Sequence, residues 1–116
     1  MKRAMTFATL AAAAAIVVAA WLPAQAADVE VKIDNFSFTP ERITVKAGTA
    51  ITWINEDDIP HTVASSTKLF KSKALDTDDK YSFTFTTPGV YQYFCSLHPH
   101  MTGTIVVEAE TGSAVR

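Results

Sequence analysis

Residues 89–101 read Gly-Val-Tyr-Gln-Tyr-Phe-Cys-Ser-Leu-His-Pro-His-Met, and they join a strand-like run to a short segment rich in metal-binding side chains. Alternate residues of a β-strand face the same side of its sheet. Tyr91, Tyr93 and Cys95 therefore share one face. If the tyrosine rings fill the interior, the Cys95 thiol also points inward, and we expect it to lie in a dry position where the strand ends.

The rest of the chain repeats this two-residue period, which is typical of half-buried strands. Apolar and polar residues alternate over residues 29–33, 43–45, 51–53 and 81–85, and residues 103–108 are rich in isoleucine and valine. Turn signals at Gly48 and at Pro88-Gly89 separate these runs. We predict an all-β fold, an antiparallel sandwich of about seven to eight short strands.

One stretch is less regular. Residues 65–80 show no clear period and fit either a short helix or an irregular excursion, with their lysine and aspartate side chains forming a solvated face.

Gly103 closely follows the segment rich in metal-binding side chains. Because glycine tolerates tight backbone conformations, we expect Gly103 to turn the chain into the last strand.

The N-terminus has the pattern of a removable export signal. Lys2 and Arg3 precede an apolar, alanine-rich run over residues 8–22, and a small-residue Ala-Gln-Ala cleavage pattern follows. The apolar run is short for a membrane span, so a retained anchor is the weaker alternative. We predict a signal peptide over residues 1–26 and one domain over residues 27–116. No cysteine at the cleavage site offers lipid attachment, so a soluble periplasmic protein is expected.

The charge balance limits the classes of partner. The chain carries 10 basic and 12 acidic residues, and removal of Lys2 and Arg3 changes its formal charge from −2 to about −4. Nucleic acids and anionic membranes require a basic footprint, which argues against both as partners. We expect a soluble monomer that meets other proteins.

The lone cysteine is unusual for an exported chain, because such proteins ordinarily pair their cysteines in disulfides. A single buried cysteine is, taken alone, most often a small apolar core residue. Metal coordination is the one explanation that also accounts for the neighbouring His98 and Met101. Cys95, His98 and Met101 stand at a Cys-x2-His-x2-Met spacing, and Pro99 stiffens the chain between the last two.

A second histidine is needed to complete such a site, and His61 is the candidate. It follows the acidic turn over residues 55–60 and opens an apolar run, so it belongs at one end of a sandwich. The alternatives are a surface role for His61 and core packing for Met101. Two imidazoles, a thiolate and a weak axial thioether form the blue-copper electron-transfer arrangement. We therefore predict one copper ion held by His61, Cys95, His98 and Met101, with no catalytic residues.

At this point the chain resembles the plastocyanin-type cupredoxins, over essentially the whole predicted domain. The segments that carry the resemblance are residues 35–40, 43–49, 51–55, 60–63 and 89–95. The short spacing between Cys95 and Met101 is most similar to the amicyanin branch. The resemblance implies a Greek-key β-sandwich with copper near one end, the same four ligands, and His98 as the partly exposed ligand through which electrons pass.

Two positions depart from that branch. Thr62 stands where the relatives carry asparagine, and its hydroxyl reaches less far between the two ligand-bearing segments, so loop rigidity and reduction potential are expected to differ. His100 stands where they carry phenylalanine. We expect its imidazole to face solvent and to make partner docking sensitive to pH.

The sequence thus favours a periplasmic type 1 copper protein that shuttles electrons and is not an enzyme. Its expected partners are redox proteins, such as a periplasmic dehydrogenase and a c-type cytochrome, which would dock on an apolar rim containing Ile59, Pro60 and Pro99. A copper carrier for copper homeostasis would use the same ligands and is the alternative. A copper enzyme needs further copper centres, and the chain has only three histidines.

Overall fold

The computed structural model describes residues 28–110, which form eight strands. They are β1 (Asp28–Asp34), β2 (Ser37–Thr39), β3 (Arg42–Lys46), β4 (Thr49–Asn55), β5 (Ala64–Ser65), β6 (Lys80–Phe85), β7 (Gly89–Cys95) and β8 (His98–Glu108). Within this range no helix is found that could span a membrane. The predicted signal peptide over residues 1–26 lies outside the described residues.

The strands form two four-stranded sheets, in the orders β2-β1-β4-β6 and β3-β8-β7-β5. The predicted all-β sandwich is confirmed, but both sheets are mixed rather than purely antiparallel. β1 pairs with β4 in parallel, and β3 pairs with β8 in parallel. The sheets are mixed because the chain passes from one sheet to the other at Ala47 and Gly48, so the consecutive strands β3 and β4 do not pair with each other. Turn signals between consecutive strands do not reveal such a change of sheet.

The core lies between the sheets and is rich in aromatic rings. Trp53 on β4 is fully buried, and its ring meets Tyr93 of β7 edge-on at 5.3 Å and stacks on Phe70 at 5.9 Å. Truncating a core tryptophan to alanine ordinarily costs about 3 to 5 kcal/mol. Tyr93 and Cys95 share the buried face of β7, as the two-residue period predicts. The part of the core that Tyr93 shares with Trp53 and Phe70, next to Cys95 along β7, is therefore tightly packed.

Residues 65–80 form the irregular excursion, and the alternative of a short helix is wrong. Much of this segment runs beside the strand-like residues that begin at His61. The amide of Leu75 donates to the carbonyl of His61 at 2.7 Å, and the amide of Ser72 donates to that of Val63 at 2.8 Å. The excursion thereby covers a sheet edge that would otherwise expose unpaired backbone groups.

Gly103 does not turn the chain, contrary to the prediction. It lies inside β8 opposite Tyr93, and a Cβ atom at this position would collide with the Tyr93 ring. The turn instead occupies Ser96 and Leu97, because β8 already begins at His98, which pairs with Cys95. Glycine is needed here for the close approach of a ring rather than for its backbone freedom.

Candidate metal centre

Three of the four predicted ligands, His61, Cys95 and His98, come together at one end of the sandwich from two parts of the chain. The β7–β8 hairpin supplies Cys95 and His98, and the segment before β5 supplies His61. One donor atom of each residue lies within 4.8 Å of the others. The Cys95 Sγ atom is 3.8 Å from Nδ1 of His61 and 3.5 Å from Nδ1 of His98. Both imidazoles therefore present the same nitrogen to the thiol.

Burial separates the two histidines. His61 and Cys95 are 0% exposed and Met101 is 5% exposed, whereas His98 is half-buried. Met101 lines a shallow cavity of about 330 Å³ together with His98. The site is thus closed on the core side and reaches the surface beside His98.

Asn55, at the end of β4, holds the turn that carries His61, a role that no motif in the sequence indicates. Its side chain is fully buried, and Nδ2 donates to the carbonyls of Ile59 at 2.9 Å and Leu75 at 2.8 Å. Its Oδ1 atom accepts from the amide of Asp57 at 2.8 Å. Every hydrogen-bonding atom of the amide is used, so residues 55–60 are fixed relative to the excursion.

Asp57 is the second residue that the sequence argument missed, because it was read only as part of an acidic turn. Its Oδ2 atom lies 2.7 Å from Nε2 of His61. Its carboxylate also accepts from the amides of Asn35 at 2.7 Å and Phe36 at 3.0 Å. A carboxylate on one imidazole nitrogen orients the ring and leaves the other nitrogen for a metal.

The pKa of Asp57 reflects these contacts. Partial burial acts to raise the pKa, but the hydrogen bonds from the amides of Phe36 and Asn35 and from His61 outweigh it. The net result is a pKa below the ordinary value for an aspartate, so the carboxylate is ionised at neutral pH.

Thr62 links the two ligand-bearing segments despite its short side chain. Its Oγ1 atom accepts from the amide of Ser96 at 2.7 Å and lies 2.8 Å from the Ser96 hydroxyl. Its backbone amide donates to the Cys95 sulfur at 3.3 Å. Thr62 and Ser96 together therefore link the two segments, and the expected difference in loop rigidity and reduction potential stays a prediction.

Phe36, in the turn between β1 and β2, lies against both imidazoles. Its ring meets His61 edge-on with centroids 5.5 Å apart and His98 edge-on at 5.0 Å. Its side chain is nevertheless 51% exposed. His100 is exposed, as predicted, and lines the same cavity as Phe36 and His98. The sequence marked residues 35–40 only as part of a resemblance and assigned Phe36 no contact with the site.

The donor set fits copper. Soft sulfur favours Cu(I) and imidazole suits both copper redox states. The Cys95 side chain is removed from solvent, and the backbone amide of Thr62 donates a hydrogen bond to its sulfur, so the sulfur faces the two imidazoles in a closed position. A structural zinc site uses the same atom types but gains little from a thioether.

Comparisons with known proteins agree with this assignment. The chain matches the Cupredoxin-like domain family over residues 4–107. Amicyanin-alpha of Methylorubrum extorquens is 37% identical over 107 residues, covering 88% of this chain and 90% of that protein. Plastocyanin of Scenedesmus fuscus is 36% identical over 98 residues, covering 70% of this chain and 100% of that protein.

Structural similarity points the same way. The crystal structure of amicyanin from Paracoccus versutus superposes with a TM-score of 0.65 at 36% identity, covering 79% of this chain and 90% of that one. The resemblance read from the sequence is therefore confirmed. On the family match and these relatives, the chain belongs to the cupredoxin family of copper proteins, beside the amicyanins and plastocyanins.

Proposed function

We propose that this cupredoxin is an amicyanin-like, exported blue copper protein that carries single electrons between two partner proteins. Its ligands in this proposal are His61, Cys95, His98 and Met101. The observation that carries the proposal is the convergence of three donor atoms within 4.8 Å, one of them the fully buried sulfur of Cys95. These atoms come from two segments that Thr62 ties together. Copper bound there would supply one-electron chemistry by alternating between Cu(I) and Cu(II).

The protein's contribution to such transfer is a donor set held in place by hydrogen bonds. Asp57 orients His61, the Asn55 amide holds the turn before it, and Thr62 binds the segment of Cys95. Preorganised ligands reduce the rearrangement that accompanies a change of charge. These supports favour electron transfer over uptake and release of the metal.

Partner docking fits the surface beside His98. This ligand is half-buried, and the exposed side chains of Phe36, Leu97 and Pro99 lie near it in the sequence or in the same cavity. Small apolar patches suit the short-lived complexes of redox proteins. A periplasmic dehydrogenase as donor and a c-type cytochrome as acceptor remain the proposed partners, with His98 as the route between them and the metal.

The periplasmic location rests on the export signal predicted over residues 1–26. Expression of the full chain with fractionation of the cells tests this part of the proposal. Recovery in the periplasmic fraction of a form that lacks residues 1–26 supports it. A cytoplasmic protein that retains Lys2 and Arg3 contradicts it.

Addition of Cu(II) to the metal-free protein tests the ligand assignment. We expect an intense visible band at about 600 nm from the Cys95 thiolate. The two histidines of the hairpin offer a matched comparison. His98→Gly should alter or abolish the band, whereas His100→Gly should leave it in place. Survival of the same band in Cys95→Ser would refute the assignment.

A copper carrier with the same ligands is less well supported, because three of the four side chains are at most 5% exposed. Carriers ordinarily offer open sites. Stopped-flow mixing of the copper-loaded protein with reduced cytochrome c separates the two functions. A shuttle accepts an electron quickly and keeps its copper. Slow reduction accompanied by loss of copper would favour the carrier.

A further inference from the structure

Phe36 is an unusual residue for the backbone conformation of the turn in which it lies. Asn35 and Phe36 form a two-residue hairpin loop between Asp34 and Ser37, which pair across β1 and β2. Their φ angles are +53° and +58°. Such loops require positive φ at both positions and strongly favour Asn-Gly. Asparagine is in its preferred place, whereas phenylalanine occupies the position that suits glycine.

The backbone contacts do not explain this choice. Asp57 accepts from the amides of both turn residues, and any residue except proline at position 36 would donate the same N–H group. Burial does not explain it either, because the Phe36 side chain is 51% exposed. An unfavourable conformation that stability does not account for is a reason to look for a function.

The contacts of the Phe36 ring indicate such a function. Phe36 meets His61 and His98 edge-on, and these imidazoles are themselves only 4.9 Å apart. The two histidines come from different segments, and the ring spans both. Phe36 also lines a cavity together with His98, Pro99, His100 and Met101. One partly exposed side chain thus contacts both imidazoles and lines a cavity with Met101.

We infer that Phe36 is a positioning residue of the metal centre, whose ring covers the two imidazoles and limits the access of water and small molecules to the site. This inference rests on the proposed copper site for its significance, and its test uses the folded protein without added metal. Asp57 connects the parts, because its carboxylate binds the turn of Phe36 and the imidazole of His61 at the same time. The cover and the buried ligand are therefore held by one group.

Phe36→Gly tests this inference, because it removes the ring and creates the preferred Asn-Gly turn. The urea unfolding midpoint of the metal-free variant should equal or exceed that of the wild type. The rate at which iodoacetamide alkylates Cys95 in the folded, metal-free protein should rise about tenfold, as two aromatic contacts that restrain the imidazoles are lost. Loss of copper to a chelator should accelerate by a similar factor.

Lys68→Gly is the matched control. Lys68 also has a positive φ of +69° and an exposed side chain, but it lies on the excursion rather than in the turn over the histidines. It should match Phe36→Gly in stability and the wild type in alkylation. A wild-type alkylation rate in Phe36→Gly overturns the inference. A lowered midpoint, with alkylation rising only in proportion to unfolding, overturns it too and makes Phe36 a structural residue.

The two readouts separate failure of the cover from failure of the proposed function. If the wild type gives no band at about 600 nm with Cu(II), the copper assignment fails. The alkylation of Cys95 in the metal-free proteins still decides whether Phe36 covers the site.

Discussion

Replacing Asn55 with alanine is expected to lower the free energy of unfolding by about 3 kcal/mol and to loosen the turn that leads to His61. Asn55 is fully buried and its amide makes three hydrogen bonds, to the carbonyls of Ile59 and Leu75 and from the amide of Asp57. Alanine makes none of them. The lost hydrogen bonds all involve the turn that precedes His61, away from the Cys95 hairpin.

The magnitude follows from the burial of each partner. The bond to the Leu75 carbonyl is buried, so water does not replace it, but this carbonyl still accepts from the amide of His61 at 3.1 Å, and the loss costs about 1 to 1.5 kcal/mol. The bonds involving Ile59 and Asp57 are partly buried, and water replaces the lost partner in part, so each contributes about 0.5 to 1 kcal/mol. Together these contributions amount to about 3 kcal/mol, a large fraction of the stability of a small domain.

Urea unfolding of the metal-free proteins measures this change. Thr52→Ala is the control, because it removes a hydrogen bond of 2.6 Å to Ser82 on the exposed side of the sheet and should cost less than about 0.5 kcal/mol. Asn55→Asp should be at least as harmful as alanine at neutral pH, since it places a carboxylate oxygen against two carbonyls. A cost for Asn55→Ala below about 1 kcal/mol would refute the view that this amide fixes the turn.

Three further changes test other supports of the site. Asp57→Asn should be less stable than the wild type at neutral pH, and the difference should disappear in acid. The reason is that the pKa of Asp57 is lowered on folding, so its contribution is present above the ordinary pKa of 3.8 and is lost as the pH falls through the folded value. Unfolding curves from neutral to acidic pH measure this, and a difference that persists in strong acid contradicts it. Gly103→Ala should cost about 1 to 3 kcal/mol in thermal unfolding, because its Cβ collides with the Tyr93 ring, and a neutral effect would show that the ring moves aside freely. Thr62→Val keeps the shape but leaves the amide of Ser96 without its acceptor, so we expect a loss of about 1 to 2 kcal/mol in urea that Thr62→Ser largely restores.

The chemical identity of the site was readable from the sequence because it depends on which side chains occur and how closely they are spaced. Cys95, His98 and Met101 stand within one short segment, and the two-residue period of β7 places Cys95 on the buried face. Strand periodicity is a local property of the chain. The all-β fold and the inward thiol could therefore be predicted without any knowledge of tertiary contacts.

Sheet assignment could not be predicted in the same way. The turn at Gly48 looks like an ordinary connection, yet β3 and β4 lie in different sheets, and each has a parallel neighbour. Which strands pair depends on packing between distant segments. The role of Gly103 was misread for the same reason, since the ring that excludes a Cβ atom belongs to the neighbouring strand β7.

By itself the sequence determined the donor types, their spacing within the hairpin, the strand period and the membership in a copper-protein family. Only the tertiary structure decided which residues support those donors. Asp57 reaches Asn35 and Phe36, which lie 22 and 21 residues away in sequence, and Thr62 reaches Ser96 across 34 residues. Such contacts leave no periodic or spacing signal, because they are selected by distance in the folded state. The cover formed by Phe36 belongs to this second group, since its meaning appears only when two histidines from separate segments lie beneath one ring.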